Sequence, residues 1–147
     1  KFKFQSIFKL RKLLKSWLIY ILDTVDYSDI DYIFPIPLHK SKLKIRGYNQ
    51  SAIIAKMISE VTKIKYDSKI LIKIKNTANQ SGLTKNLREK NLKNSFYINT
   101  RNKKLIKGKK ILLVDDIITT GSTINECSKT LVQSGVAEVI AISIARC

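Results

Sequence analysis

The hydrophobic pattern between residues 111 and 131 predicts a strand, a tight loop and a helix in immediate succession. Ile111–Val114 is an unbroken apolar run, as in a short buried strand. A loop of hydroxyl residues and one glycine follows at Thr119–Thr123. Apolar side chains then recur at helical spacing, at Ile124, Cys127 and Leu131. We expect the strand to end at Val114, and we expect Thr123 and Glu126 to form a capping box at the helix start.

Similar patterns predict further elements on both sides of this unit. Asp31–Leu38 is a strand that stops or kinks at its two prolines, which cannot donate to a ladder. A helix follows Asn49, a natural N-cap, with one apolar face formed by Ile53, Ile54, Met57, Ile58 and Val61. Shorter patterns predict strands at Phe96–Ile98 and Val136–Ala145, a basic turn at Thr100–Lys110 and a helix stop at Gly135.

The ends and the middle of the chain differ from this α/β pattern. Residues 1–22 alternate basic and apolar groups, which predicts an amphipathic helix, and an acidic linker follows. Asn76–Asn94 is polar and long for a connection, so it is either a lid over a ligand or a basic surface loop that grips nucleic acid. We therefore predict an N-terminal helix and linker at 1–30 and an α/β domain at 31–147. That domain has a mainly parallel sheet flanked by helices.

The loop at Thr119–Thr123 has the chemistry of a phosphate site. Small residues let the backbone approach an anion, and a helix N-terminus offers unpaired N–H groups. Asp115 and Asp116 would repel a phosphate unless they face hydrogen-bond donors or a cation, such as sugar hydroxyls or Mg²⁺. The simpler alternative is a capped helix with solvated acids, but the full pattern favours a phosphorylated sugar.

A second candidate region follows the predicted strand at Asp31–Leu38. The loop after it is expected to carry five basic or titratable side chains, namely His39, Lys40, Lys42, Lys44 and Arg46. Loops at the carboxyl ends of strands are where open α/β sheets bind ligands. Arg46 has a planar fork suited to phosphate, so it is either a ligand or a surface arginine.

Composition adds a strongly asymmetric charge. The formal net charge is +17, and of the 28 Lys and Arg residues only Lys129 and Arg146 follow residue 110. A polyanionic partner or a lysine-rich compositional drift would each explain this.

Two cysteines and one histidine give no metal–thiolate or disulfide pattern. The apolar run at Trp17–Leu22 is too short to span a bilayer, so we expect a cytoplasmic protein, and the start at Lys1 suggests a missing N-terminal segment.

The string ILLVDDIITTGST resembles the phosphoribosyl pyrophosphate (PRPP) motif of type I phosphoribosyltransferases. Within that family, the pairing of PIPLH with RGYNQ resembles the ComF-type competence proteins, which are linked to the handling of single-stranded DNA. A second stretch agrees, with Lys73, Lys75, T-x-x-Q-x-x-L from Thr77, then Arg88, Asn91 and Phe96. Lys73 and Lys75 stand where arginines are usual, and the family's four-cysteine zinc ribbon is absent from this chain.

The resemblance implies the type I phosphoribosyltransferase fold and a ligand, PRPP with Mg²⁺. Asp115 and Asp116 would hold the ribose diol, and one of them could also contact Mg²⁺. The 5-phosphate would be held by Thr119, Thr120, Gly121, Ser122 and Thr123, and the pyrophosphate by Pro37, Leu38, His39 and Lys40. Ile117 is also counted among the PRPP-binding residues. The implied catalytic residues are Asp115, Asp116, Lys75 and Arg88, and the candidate nucleic-acid contacts are Arg46, Lys73, Lys75, Lys85 and Arg88.

Three functions remain open from the sequence. The chain could transfer phosphoribose to a nitrogen acceptor with release of pyrophosphate. It could instead respond to PRPP while binding single-stranded DNA, or act as a scaffold through its basic N-terminal helix. No residue identifies an acceptor base or an oligomeric state, because the extra segment that recognises the base in these enzymes is not recognisable here.

Overall fold

A computed structural model describes residues 27–77 and 90–146 of the chain. The predicted N-terminal helix, Lys85 and Arg88 lie outside the described residues, as does most of the predicted lid. Ile30 is buried in the core, and the predicted domain boundary at this point stays a prediction.

In the described residues, four parallel strands form the main sheet, namely β1 Tyr32–Pro35, β2 Lys65–Tyr66, β5 Lys110–Ile118 and β6 Glu138–Arg146. Their order across the sheet is β2-β1-β5-β6. Two further strands, β3 Leu71–Lys73 and β4 Phe96–Ile98, form a separate antiparallel pair. The predicted α/β class with a mainly parallel sheet is confirmed.

Within residues 27–77 and 90–146, the helices with defined bounds are α1 Lys40–Arg46, α2 Gln50–Thr62, α3 Thr100–Ile106 and α4 Ser122–Gln133. Two of them correct the sequence predictions, because α1 was expected to be a loop and α3 a basic turn. Each is seven residues long and buries one residue or none. Neither sequence therefore shows the hydrophobic periodicity that predicts a helix. Their caps were also missed: the side chains of His39 and Asn99 accept from Ser41 N and Arg101 N, respectively.

Strand β5 is buried on both faces, which explains its apolar run. Ile111 and Leu113 belong to a core cluster with α4, where Ile124, Cys127 and Leu131 are buried. Leu112 and Val114 belong to a second cluster with α2, which includes Ile54, Ala55, Met57 and Ile58. Helices on both faces are the usual arrangement for a parallel sheet. The two clusters therefore fix β5 tightly, and the hydroxyl-rich loop at its carboxyl end is held at one edge of the sheet.

Strand β5 is longer than predicted. It continues through Asp115 and Asp116 to Ile118, paired with β6 as far as Arg146. Strand β1 ends at Pro35, as its prolines predicted, and its last pairing partner is Val114. The acids therefore lie on a strand that has lost its neighbour on one side. None of the helices in the described ranges is long and apolar enough to cross a bilayer.

Candidate functional site

The strands β1 and β5 separate directly after the hydrogen bond between Ile36 and Val114. Ile36 N donates to Val114 O at 2.8 Å, and in a parallel ladder the next bond would run from Asp116 N to Ile36 O. Two side chains take those groups instead. Asn49 Nδ2 donates to Ile36 O at 2.9 Å, and Asp116 N donates to Asp115 Oδ1 at 2.9 Å. A cleft therefore opens directly beside the acid pair.

Asp115 is a buried carboxylate at this cleft, only 9% exposed. Its Oδ1 also accepts from Ser51 Oγ at 3.1 Å. Burial raises the pKa of Asp115 to about 6, with a further contribution from the neighbouring Asp116 carboxyl. Asp116 is more exposed, and its Oδ1 accepts from Ile117 N at 3.0 Å. Ionisation of Asp115 is therefore costly, and any new hydrogen-bond donor would reduce that cost.

The hydroxyl-rich loop closes one side of a small depression. Gly121 has φ +74°, a left-handed conformation that favours glycine, and it occupies the N-cap position of α4. The hydroxyls of Thr120 and Ser122 lie 2.8 Å apart. The first N–H groups of α4 have no intrahelical acceptors, as at any helix N-terminus. Asp115, Ile117, Ile118, Thr119–Thr123 and Ile124 line this open space of about 210 Å³.

The predicted capping box at the start of α4 is wrong. The helix begins at Ser122 after Gly121, so Thr123 already lies inside the first turn. Glu126 Oε1 accepts instead from Asn94 N at 2.7 Å. Glu126 therefore ties the segment before β4 to the helix that comes after the hydroxyl loop.

A larger open pocket, of about 670 Å³, lies beside the loop after β1. Pro37, Leu38, His39 and Lys40 form one side, and Ser68 and Leu71–Ile74 form the other. His39 Nδ1 lies 2.8 Å from Ser41 Oγ, so the imidazole is engaged at the start of α1. Four of the predicted ligand-binding positions thus share one cavity with strand β3.

Lys73 links this pocket to Asp115 electrostatically. Its Nζ lies 5.4 Å from the centre of the Phe96 ring. Burial lowers the pKa of Lys73, as does the charge of Lys42, while Cys127 and Asp115 act in the opposite direction. A half-buried ammonium that lies close enough to Lys42 and Asp115 to be affected by their charges is suited to binding an anion.

Two other predicted residues lie elsewhere. Lys75 Nζ donates to Lys93 O at 2.6 Å on the exposed surface, and neither pocket includes it. Arg46 donates to Gln50 Oε1 at 2.9 Å, also on the surface. The structure therefore places Asp115 with the hydroxyl loop in one pocket and the Pro37–Lys40 loop in a second pocket, and neither pocket includes Asp116, Arg46 or Lys75.

Sequence reasoning missed the roles of Ser51 and Asn49 at the cleft. Asn49 occupies the predicted N-cap position of α2, but its side chain makes no capping hydrogen bond and reaches Ile36 instead. Ser51 meets an acid 64 positions away in the chain. Their place in the RGYNQ motif, or directly after it, was the only signal in the sequence.

Within residues 27–77 and 90–146, no group of three or more His, Cys, Asp or Glu side chains could hold a metal ion. Asp115 and Asp116 are oxygen donors that suit Mg²⁺ as one or two additional ligands.

A model of the phosphoribosyl transferase domain matches residues 50–146. The chain belongs to the phosphoribosyl transferase domain family. This phosphoribosyltransferase domain includes α2, β5, the hydroxyl loop and α4, which together carry most of the site described above.

Curated relatives connect the phosphoribosyltransferase domain with competence proteins. Competence protein F of Haemophilus influenzae is 35% identical over 150 residues, covering 99% of this chain and 65% of that protein. DNA utilization protein YhgH of Escherichia coli strain K12 is 34% identical over 109 residues, covering 74% of this chain and 46% of that protein. The chain thus spans less than two thirds of either relative, and the predicted ComF-type relationship is confirmed.

Solved structures agree on the fold. Glutamine PRPP amidotransferase from B. subtilis, complexed with ADP and GMP, matches with a TM-score of 0.57 and 22% identity. The match covers 90% of this chain and 25% of that chain. At this identity the likeness concerns the fold alone, and the predicted type I phosphoribosyltransferase fold is confirmed.

Proposed function

We propose that this phosphoribosyltransferase domain binds PRPP with Mg²⁺ and transfers its phosphoribosyl group to a nitrogen acceptor, in a protein associated with DNA uptake. One observation carries the proposal: a buried carboxylate and a hydroxyl loop at a helix N-terminus line the same depression. An anion site beside a hydrogen-bond acceptor fits a phosphorylated sugar and few other metabolites.

The 5-phosphate would occupy the loop Thr119–Thr123. Its donors would be the hydroxyls of Thr120 and Ser122 and the N–H groups at the start of α4, of which Ser122 N donates to Thr120 Oγ1 at 3.5 Å. The helix dipole would favour its charge. The left-handed backbone at Gly121 turns the loop without placing a side chain over the depression.

The ribose diol would donate to Asp115 and Asp116. Ionised carboxylates are acceptors only, so sugar hydroxyls are suitable partners. Because burial already raises the pKa of Asp115 to about 6, two new donors would favour its charged form. Binding would therefore stabilise a charge that the fold by itself accommodates poorly.

The pyrophosphate would lie in the pocket beside Pro37–Lys40. Lys73 lines the same pocket as this loop, and Lys42 lies near enough to affect the pKa of Lys73. Lysine supplies charge there, although it cannot grip a phosphate through two parallel hydrogen bonds as arginine does. Mg²⁺, bound with PRPP, would neutralise the leaving group.

In the transfer, the bond between ribose C1 and the pyrophosphate oxygen breaks, and the oxygen keeps the electron pair. A bond from the acceptor nitrogen to C1 forms, and the nitrogen loses its proton to water. The chain's own contribution is to fix both ends of PRPP and to stabilise the leaving charge through Lys73. Lys75 and Arg88 remain candidates for closing over the phosphates.

Calorimetric titration with PRPP and Mg²⁺ tests the binding step, and a pyrophosphate-release assay across candidate bases tests transfer. Asp115→Asn together with Asp116→Asn should abolish PRPP binding. Asp29→Asn is the matched control, because this exposed acid pairs with Lys110 at the other end of β5 and should leave affinity unchanged. Equal loss in the control, or full affinity without the acid pair, would contradict the proposal.

A second candidate function is PRPP-responsive binding of single-stranded DNA without turnover. It is favoured by α1, a basic helix with no buried residue, in which Ile45 is 88% exposed. Tyr48 comes soon after it at 40% exposure and could stack on a base. The name of YhgH, a DNA utilization protein, points the same way.

Charge removal on α1 separates the two functions. Lys44→Gln with Arg46→Gln should weaken single-stranded DNA binding and flatten its salt dependence, while PRPP affinity stays unchanged. Lys103→Gln with Lys104→Gln on α3 is the matched control, since that basic helix precedes β5 at the opposite end of the sheet. DNA affinity that is insensitive to salt would eliminate this candidate.

A further inference from the structure

The start of helix α2 contacts both halves of the proposed PRPP site. Asn49 donates to Ile36 O, the residue directly before the loop that would hold pyrophosphate. Ser51 donates to Asp115 Oδ1, the acid that would hold the ribose. Two side chains on one rigid helix therefore reach two pieces of chain that are distant in sequence.

Helix formation alone does not account for these contacts. Asparagine is among the best N-cap residues, yet Asn49 makes no capping hydrogen bond and gives its amide to Ile36. Ser51 is only 4% exposed, and its hydroxyl donates a hydrogen bond to the Asp115 carboxylate instead of to a carbonyl of its own helix.

The same contacts replace the ladder hydrogen bond that would close the cleft. If Asp116 N donated to Ile36 O, β1 and β5 would stay paired beside the acids. Asn49 occupies Ile36 O, and Asp115 Oδ1 occupies Asp116 N while Ser51 holds that carboxylate. The separation of the strands is thus maintained from α2.

We propose that Asn49 and Ser51 are positioning residues that set the spacing between the pyrophosphate loop and the ribose-binding acid. This inference rests on the proposed function. PRPP must touch both regions at once, so a small error in their separation would weaken the whole ligand more than it weakens either fragment. Neither side chain needs to contact PRPP.

Fragments of PRPP test the two residues separately. Ser51→Ala should weaken ribose 5-phosphate binding about tenfold and leave Mg²⁺–pyrophosphate binding within about twofold, because a hydrogen bond to a charged group is lost. Asn49→Ser keeps a good N-cap but cannot reach Ile36, and it should show the opposite preference. Both variants should weaken PRPP binding by a larger factor than they weaken the binding of either fragment, and calorimetry with each compound measures the pattern.

Matched controls come from the same kinds of residue elsewhere. Ser59→Ala removes a hydroxyl at the far end of α2 that donates to Ile64 O, and Asn99→Ser changes the N-cap of α3. Neither should change any fragment affinity, and Ser59→Ala should in addition lower Tm. Ser51→Thr retains the hydroxyl and should restore ribose 5-phosphate binding. If Ser51→Ala fails to fold, Ser51→Cys keeps similar bulk with a weaker donor and serves in its place.

The outcomes separate this inference from the proposed function. If the unmodified chain binds neither PRPP nor its fragments, the proposed function fails and the inference fails with it. If the unmodified chain binds them, but Ser51→Ala and Asn49→Ser weaken both fragments equally or act no more strongly than Ser59→Ala, only the positioning role is wrong. The crossed preference, together with a loss of PRPP affinity larger than the loss for either fragment, supports it.

Discussion

Asp115→Asn should make the protein more stable near neutral pH while removing its proposed sugar binding. The folded-state pKa of Asp115 is about 6, above its ordinary value of 3.8, because the carboxylate is buried beside another acid. The folded state therefore favours the protonated form. The stability that this provides is fully present below about pH 4 and is lost as the pH rises through about 6.

The magnitude follows from the two pKa values. Each pKa unit corresponds to about 1.4 kcal/mol, so ionised Asp115 costs the folded state about 3 kcal/mol at pH 8. Asparagine keeps the oxygen that accepts from Ser51 and Asp116 N, and its amide can donate to the Asp116 carboxylate. For a chain of this size the gain corresponds to a Tm increase of roughly 5 to 10 °C.

Thermal unfolding followed by circular dichroism at pH 8 and pH 4 measures the effect. The stabilisation should be large at pH 8 and should fall below about 1 kcal/mol at pH 4. Asp31→Asn is a control of opposite sign, because the hydrogen bond from Lys109 lowers the pKa of Asp31. That variant should lose stability at pH 8, and the loss should shrink as the pH falls below about 4. An Asp115→Asn variant with equal effects at both pH values would refute the reasoning.

Three further predictions concern Gly121 in the hydroxyl-rich loop, the side chain of Lys73 and the segment before β4. Gly121→Ala should cost about 1 to 2 kcal/mol in urea unfolding, from its left-handed φ alone, because an added Cβ meets nothing within 4 Å; a much larger loss would indicate a clash. Lys73→Met should weaken Mg²⁺–pyrophosphate binding about tenfold in calorimetry, and Lys73→Arg should restore it; unchanged affinity would remove Lys73 from the site. Glu126→Ala should speed hydrogen exchange at the Asn94 amide about tenfold, whereas Glu126→Gln, which keeps an acceptor, should not.

Local patterns predicted the elements that bury apolar faces. The strand at Ile111–Val114 and the helix with Met57 and Ile58 follow from spacing alone, since each element fills a core cluster. Helices α1 and α3 bury almost nothing, so their sequences carry no such period. Their start is set by the side-chain caps His39 and Asn99, which are hard to recognise in a sequence as rich in lysine as this one.

The candidate site was predictable in part for a similar reason. The acids and the hydroxyl loop lie in one continuous stretch, so their chemistry is visible in the sequence. Thr123 and Glu126 satisfied a local capping rule, but Glu126 bonds to Asn94, 32 positions away. The contact between Ser51 and Asp115 spans 64 positions, and no local rule anticipates it. Tertiary partners decide such side chains, and a single sequence does not display them.

The two sides of the proposed site belong to different sheets, which makes them separately adjustable. Strands β3 and β4 share no ladder with the main sheet among the described residues, and packing of Leu71, Phe96 and Ile98 in the common core holds them in place. Lys73 is carried by this smaller sheet, whereas Asp115 is carried by the larger one. A change in the volume of the apolar side chains between the sheets would therefore change the distance between Lys73 and Asp115 without altering a polar group. Substitutions between apolar core residues could in this way change the affinity for a ligand.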